Sequence, residues 1–213
     1  TVEDDQYRDL GLTSIHIPES VKTIGRHAFS GNDLVDVNIS TVTSVGDYAF
    51  FNSSIRSVVL GETLVGKFAF DQNIINALTI PESTFIDAYA FRNNIIEDLT
   101  IGPGVHFGND SFRNNSLTTL SFPDNTTIMK GAFSGNPITR VEFEGAYTVD
   151  PEAFDGIGIV PHGTVHIQDD QFAGKGLTHI YIPNTVETIG ARAFSQNNLQ
   201  SVTIPDSVRS IGT

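Results

Sequence analysis

The sequence predicts a β-rich solenoid of about ten coils, and three observations carry that prediction. An aromatic residue recurs at Tyr7, Phe29, Phe50, Phe70, Phe91, Phe112, Phe133, Phe154, Phe172 and Phe194, at spacings of 22, 21, 20, 21, 21, 21, 21, 18 and 22 residues. An aliphatic residue follows each of them five positions later, at Leu12, Leu34, Ile55, Ile75, Ile96, Leu117, Ile138, Ile159, Leu177 and Leu199. The stretch GLTSIHIPESVKTIGRHAF, Gly11 to Phe29, returns as GLTHIYIPNTVETIGARAF, Gly176 to Phe194, and 176 − 11 gives a shift of 165 residues. A site of chemistry is written once in a chain, whereas a unit that returns every ~21 residues is architecture.

Each part of the unit has a physical reading. The I-x-I segment, as in Ile15-His16-Ile17 or Ile180-Tyr181-Ile182, alternates with period two and is β-branched, which predicts a short half-buried strand. Proline at 18, 81, 123, 183 and 205 ends it, because proline donates no ladder hydrogen bond. A second extended piece, V-x-x-I, runs into Gly25, Gly46 or Gly190. The x-x-A-F piece is expected to be a single helical or 3-10 turn, with Ala permitting close approach and Phe filling the interior. Asn three residues beyond the Phe, at 32, 73, 94, 115, 136 and 197, suits a turn satisfied by side-chain amides. No such unit buries its apolar side alone, so the coils must stack.

Composition excludes several functions. With 25 Asp and Glu against 12 Lys and Arg the formal charge is -13, which repels nucleic acid and anionic membrane surfaces. The absence of cysteine removes disulfides, thiolate metal sites and thiol nucleophiles. No run reaches the ~20 apolar residues of a membrane helix, so direct membrane insertion is not expected. There is no G-x-S-x-G, no H-E-x-x-H and no phosphate-binding glycine loop. Every carboxylate pair belongs to a repeating column, and no enzyme activity and no cofactor are expected.

The unit I-x-I-P-x-x-V-x-x-I-G-x-x-A-F resembles the BspA-type leucine-rich repeats (LRR) of bacterial surface proteins, over nearly the whole chain. The resemblance implies a right-handed leucine-rich-repeat solenoid, residues 1–213 forming a single domain within a longer array. It also implies an extracellular or cell-surface location and a role in adhesion, with a host extracellular-matrix or cell-surface protein as partner.

Three coils depart from the pattern. Leu60 to Phe70 lacks the Pro, and Gly102 to Phe112 lacks the Ala before its Phe. The largest departure is the shortened coil at 155–172, DGIGIVPHGTVHIQDDQF. There Val165-His166-Ile167 reads as a late ladder strand with the V-x-x-I-G half missing, and Gly156 to Gly163 reads either as a tolerated kink or as a protruding loop. Asp4 to Leu34 matches Asp169 to Leu199 at 18 of 31 positions, with Val2 in the place of Ile167. The chain therefore reads as opening inside a second shortened coil, with a higher-order period of eight coils.

Residues pointing outward from the I-x-I strands form columns on one face, the ladder face. One column runs His16, Asn38, Val59, Thr79, Thr100, Ser121, Glu142, His166, Tyr181, Thr203, and its neighbour runs Ser14, Asp36, Ser57, Ala77, Asp98, Thr119, Arg140, Thr164, His179, Ser201. The candidate protein-binding residues are Arg140, Glu142, His166, His179 and Tyr181, where charge, imidazole and aromatic character concentrate. His162, His166 and His179 have no recognised ligand spacing, so no metal site is assigned. Acidic residues two past the strand (Glu19, Glu62, Glu82, Asp124, Asp169, Asp206) form a broken rim, read as a soluble face. The expected function is non-catalytic protein binding through the ladder face. A structural spacer, or a repeat module appended to a secreted enzyme, are the alternatives. Exposed strand edges at the two end coils predict a monomer with some end-to-end stacking.

Overall fold

A computed structural model describes residues 1–213 as a parallel β-solenoid of about nine turns, of the leucine-rich-repeat type, with no helix. Two strand columns run along it. The ladder face carries four-residue strands such as Asp36–Ile39, Ser57–Leu60, Ala77–Ile80, Asp98–Ile101, Thr119–Phe122 and Arg140–Phe143, hydrogen-bonded in pairs. Most alternate exposed and buried residues, as their period-two sequences require. Ile15 to Ile17, expected to open this column, makes no strand pairing. The V-x-x-I segments form the second column, a continuous seven-stranded parallel sheet from Thr23–Ile24 to Tyr147–Val149.

Between the columns lies a stack of rings. Tyr7, Phe29, Phe50, Phe70, Phe91, Phe112, Phe133 and Phe154 follow one another with centroids 5.0 to 5.6 Å apart, within the range of favourable offset stacking. Beside it the asparagines form a second ladder. The Asn94 amide donates to the carbonyls of Phe70 and Phe91, 2.9 and 3.1 Å away, and its Oδ1 accepts from Ile75 N at 3.1 Å. Asn32, Asn73, Asn115, Asn136 and Asn197 likewise bridge their own coil to the one before. Each satisfies carbonyls that the stacked turns would otherwise bury unpaired.

The x-x-A-F turn is not the expected helical or 3-10 turn. The residue two before the Phe adopts a left-handed conformation, with φ of 54° at His27, 59° at Tyr48, 58° at Phe68 and 63° at Tyr89. The cause is that the turn's amides point along the stack. Phe29 N donates to Ala49 O and Phe50 N to Ala69 O, both at 2.8 Å, which a helical turn would direct elsewhere. Left-handed φ is costly for side chains with a Cβ. Here stacking offsets it: His27, Tyr48, Phe68 and Tyr89 form a partly exposed ring column at 4.6 to 4.7 Å spacing.

The second sheet, the phenylalanine stack and the core are interrupted in the same place. The seven-stranded sheet ends at Tyr147–Val149, and a separate three-stranded sheet resumes with His166–Ile167, Thr188–Ile189 and Ser210–Ile211. The ring stack ends at Phe154 and resumes as Phe172–Phe194. The core divides into a cluster of 39 residues ending at Ile157 and one of 6 residues beginning at Val160. The solenoid thus consists of two blocks joined through the shortened coil. Val2 bridges Ile24 as Ile167 pairs with Ile189, which gives the sequence equivalence of the two segments a structural counterpart.

The shortened coil is built differently from its sequence reading. Ile157–Ile159 is a strand, paired with His179–Tyr181, and His166–Ile167 is the V-x-x-I strand of the coil. What is missing is the asparagine turn: Ile157 stands three residues past Phe154, where seven other coils carry Asn32, Ser53, Asn73, Asn94, Asn115, Asn136 and Asn197. Within Gly156 to Gly163, Ile157, Gly158 and Val160 are buried, and the exposed part is the turn Pro161 to Gly163.

Candidate binding groove on the ladder face

The strand register fixes which predicted residues meet. Thr119 pairs with Arg140 and Ser121 with Glu142 in the first block, and in the second Ile157 pairs with His179 and Ile159 with Tyr181. Arg140, Glu142, His179 and Tyr181 thereby line one groove of about 760 Å³, together with Ser121, Glu144, Ile157, Asn184, Ser201 and Thr203. His166 is not among them. It lies on the other sheet, exposed, with Nδ1 2.8 Å from Thr188 Oγ1, because it belongs to the V-x-x-I strand. Asp169 leaves the acidic rim for the same reason. Its Oδ1 accepts from Ala191 N at 2.7 Å, as Asp4 accepts from Arg26 N in the first block. No group of three or more His, Asp or Glu is placed to hold a metal ion.

Tyrosines hold the joint behind the groove. Tyr147, 8% exposed, donates its hydroxyl to Val160 O at 2.6 Å, from the first block to the second. Tyr181 donates in the opposite sense, to Phe143 O at 3.4 Å. The Phe143 ring lies 4.0 Å from Tyr147 and 5.1 Å from Tyr181, and His162 packs edge-on to Tyr147 at 5.3 Å. These contacts stand where the ring stack and the second sheet have lapsed. Of these aromatic residues the sequence reading singled out Tyr181 and missed Phe143 and Tyr147; that they meet depends on the missing turn, signalled by Ile157 three residues past Phe154.

Burial pushes the Tyr147 hydroxyl far above its ordinary value, and raises that of Tyr181 as well. A raised folded-state value means the fold prefers the proton, so the stabilisation is complete below the ordinary tyrosine pKa of 10.0 and is lost as pH rises beyond it. Stability is therefore expected to fall above pH ~10. In a spectrophotometric titration of tyrosinate, Tyr147 should ionise only with the loss of structure, whereas ionisation of all five tyrosines in a native chain would contradict its burial.

The polar side chains of the groove are hydrogen-bonded locally. Arg140 pairs with Glu142, and Nε lies 3.0 Å from Oε1. Glu144 accepts from the Ser121 hydroxyl at 3.3 Å, and His179 Nδ1 faces Thr178 Oγ1 at 3.1 Å. A family model described as BspA type Leucine rich repeat region matches in six copies over residues 1–106, 63–160 and 165–213. The chain belongs to this BspA-type leucine-rich-repeat family. The four residues outside the matches, 161–164, lie in the joint. No curated protein sequence matches the chain. A solved leucine-rich repeat protein from Bacteroides ovatus ATCC 8483 is similar in structure, with a TM-score of 0.58 at 18% identity over 100% of this chain. The chain spans 66% of that protein's length, so the likeness describes the fold. The pneumococcal vaccine antigen PcpA aligns with a TM-score of 0.44 at 16% identity, over 94% of this chain and 62% of PcpA. No helix of this BspA-type chain is long and apolar enough to cross a membrane.

Proposed function

We propose that this BspA-type chain is a non-catalytic protein-recognition segment of a protein displayed at or beyond the cell surface, acting in adhesion through its ladder face. The observation that carries this reading is the groove in which Arg140, Glu142, His179 and Tyr181 converge from two blocks. A cleft with mixed polar walls and an apolar floor suits recognition, and its residues depart from the small polar side chains that fill the rest of the face. Membership of the BspA-type family supports a surface location. The test is binding to immobilised extracellular-matrix proteins and to whole cells. Arg140→Ala with His179→Ala is expected to weaken capture about tenfold or more; unchanged capture would remove the groove from the binding surface.

A spacer is the second reading, favoured by the 165-residue restatement of Gly11 to Phe29. It predicts that these substitutions change nothing and that deleting coils shortens reach alone. The wider possibility of a repeat module beside a secreted enzyme adds no role for the groove itself.

A further inference from the structure

The groove has a direction and a charge, and both bear on its occupant. It runs from Ser121, across the strand Arg140–Phe143 and the strand His179–Tyr181, to Ser201, Thr203 and Pro205. That path crosses successive rungs. With the strand Ile157–Ile159 between those two strands, four steps of ~4.8 Å cover roughly 19 Å, the length of about six residues of extended chain at ~3.3 Å each. A volume of about 760 Å³ is of the size that encloses a short segment, where a folded partner would bury a wider, flatter surface. The ionised groups on its walls are Arg140, Glu142 and Glu144. Arg140 is held by Glu142, and Glu144 has only the Ser121 hydroxyl as partner, leaving one uncompensated negative charge. That charge adds to the field of a chain whose net charge is already -13.

We infer that the groove takes an extended, cationic peptide segment lying across the rungs, with a lysine or arginine directed at Glu144. The inference rests on the reading of the ladder face as a protein-binding surface and names what that surface recognises. Because the segment touches both blocks, its seating also ties them together at the joint.

The probes are two labelled ten-residue peptides, one alternating lysine and threonine and the other glutamate and threonine, followed by fluorescence anisotropy at low and high salt. The cationic peptide is expected to bind at low salt and to be released by 0.5 M salt, as screening of exposed charges requires. Glu144→Lys should weaken it about fivefold, while Glu82→Lys, an equal charge change on the exposed rim, should weaken it less than about twofold. Equal losses in the two variants would reduce the interaction to bulk charge and overturn the proposal. Binding of the anionic peptide as tightly as the cationic one, or of neither, would also overturn it. If these results went against the groove while Arg140→Ala with His179→Ala still abolished capture of a protein, the peptide specificity would fall and the binding surface would stand. If that double variant left capture unchanged, the binding surface itself would fall.

Discussion

Replacing Asn94 with Ala is expected to destabilise the chain by about 3 kcal/mol. Asn94 is 6% exposed, and its amide serves three backbone groups, the carbonyls of Phe70 and Phe91 and the amide of Ile75. Ala would leave the Ile75 amide in the interior with no partner and would take one of two amide donors from each carbonyl, since Phe70 O keeps Asn73 Nδ2 and Phe91 O keeps Asn115 Nδ2. The loss also falls between coils, where stability in a solenoid is shared by neighbours. Urea unfolding monitored by circular dichroism measures it, and a change below about 1 kcal/mol would show that water or a shifted backbone takes over the amide's role. Asn94→Ser should be milder, since Ser53 already stands in an asparagine position and reaches Phe29 O through its hydroxyl at 2.9 Å.

Replacing Tyr147 with Ala is expected to cost about 3–4 kcal/mol and to loosen the two blocks from each other. Two contributions combine: the ring packed against Phe143, Tyr181 and His162, and the hydroxyl that is the short bond to Val160 O. Tyr147→Phe separates them. It keeps the ring and leaves the Val160 carbonyl without its partner, an expected loss of about 1–2 kcal/mol. The two substitutions also differ in kind from Asn94→Ala. Asparagine removal weakens a coil within a continuous stack, whereas Tyr147 stands where the sheet, the ring stack and the core are all interrupted.

Much of the fold was readable because stacking repeats the same physical demand at every coil. The phenylalanine spacing announced the ring stack, the asparagines announced the turn ladder, and the Ile and Val alternation announced the strands. The turn conformation was hidden, since its left-handed residues include His27, Tyr48, Phe68 and Tyr89, and Gly131 alone stands at that position as the glycine that signals positive φ. The shortened coil was hidden for a different reason. Both Ile157-Gly158-Ile159 and Val165-His166-Ile167 satisfy a period-two pattern, and the choice between them rests on how much chain separates each from Phe154. Two residues suffice to enter the first strand directly, so the coil discards its asparagine turn and keeps both strands. That choice moves His166 to the other sheet. It also brings Arg140 and Glu142 to one groove with His179 and Tyr181, which were two coils apart along the chain.

The central claim is that two blocks meet at a joint, closed by Tyr147 and Tyr181, that shapes the binding groove. The native chain has no cysteine, so pairs of cysteines can be introduced for spin labels without interference. A pair at Thr100 and Thr203 spans the joint on exposed ladder positions, and a pair at Asn38 and Thr100 lies within the first block. Distance distributions by double electron–electron resonance should be narrow for both pairs in the native chain. In Tyr147→Ala the pair across the joint should broaden while the pair within the block stays narrow; equal widths across the joint in the native and variant chains would contradict the claim.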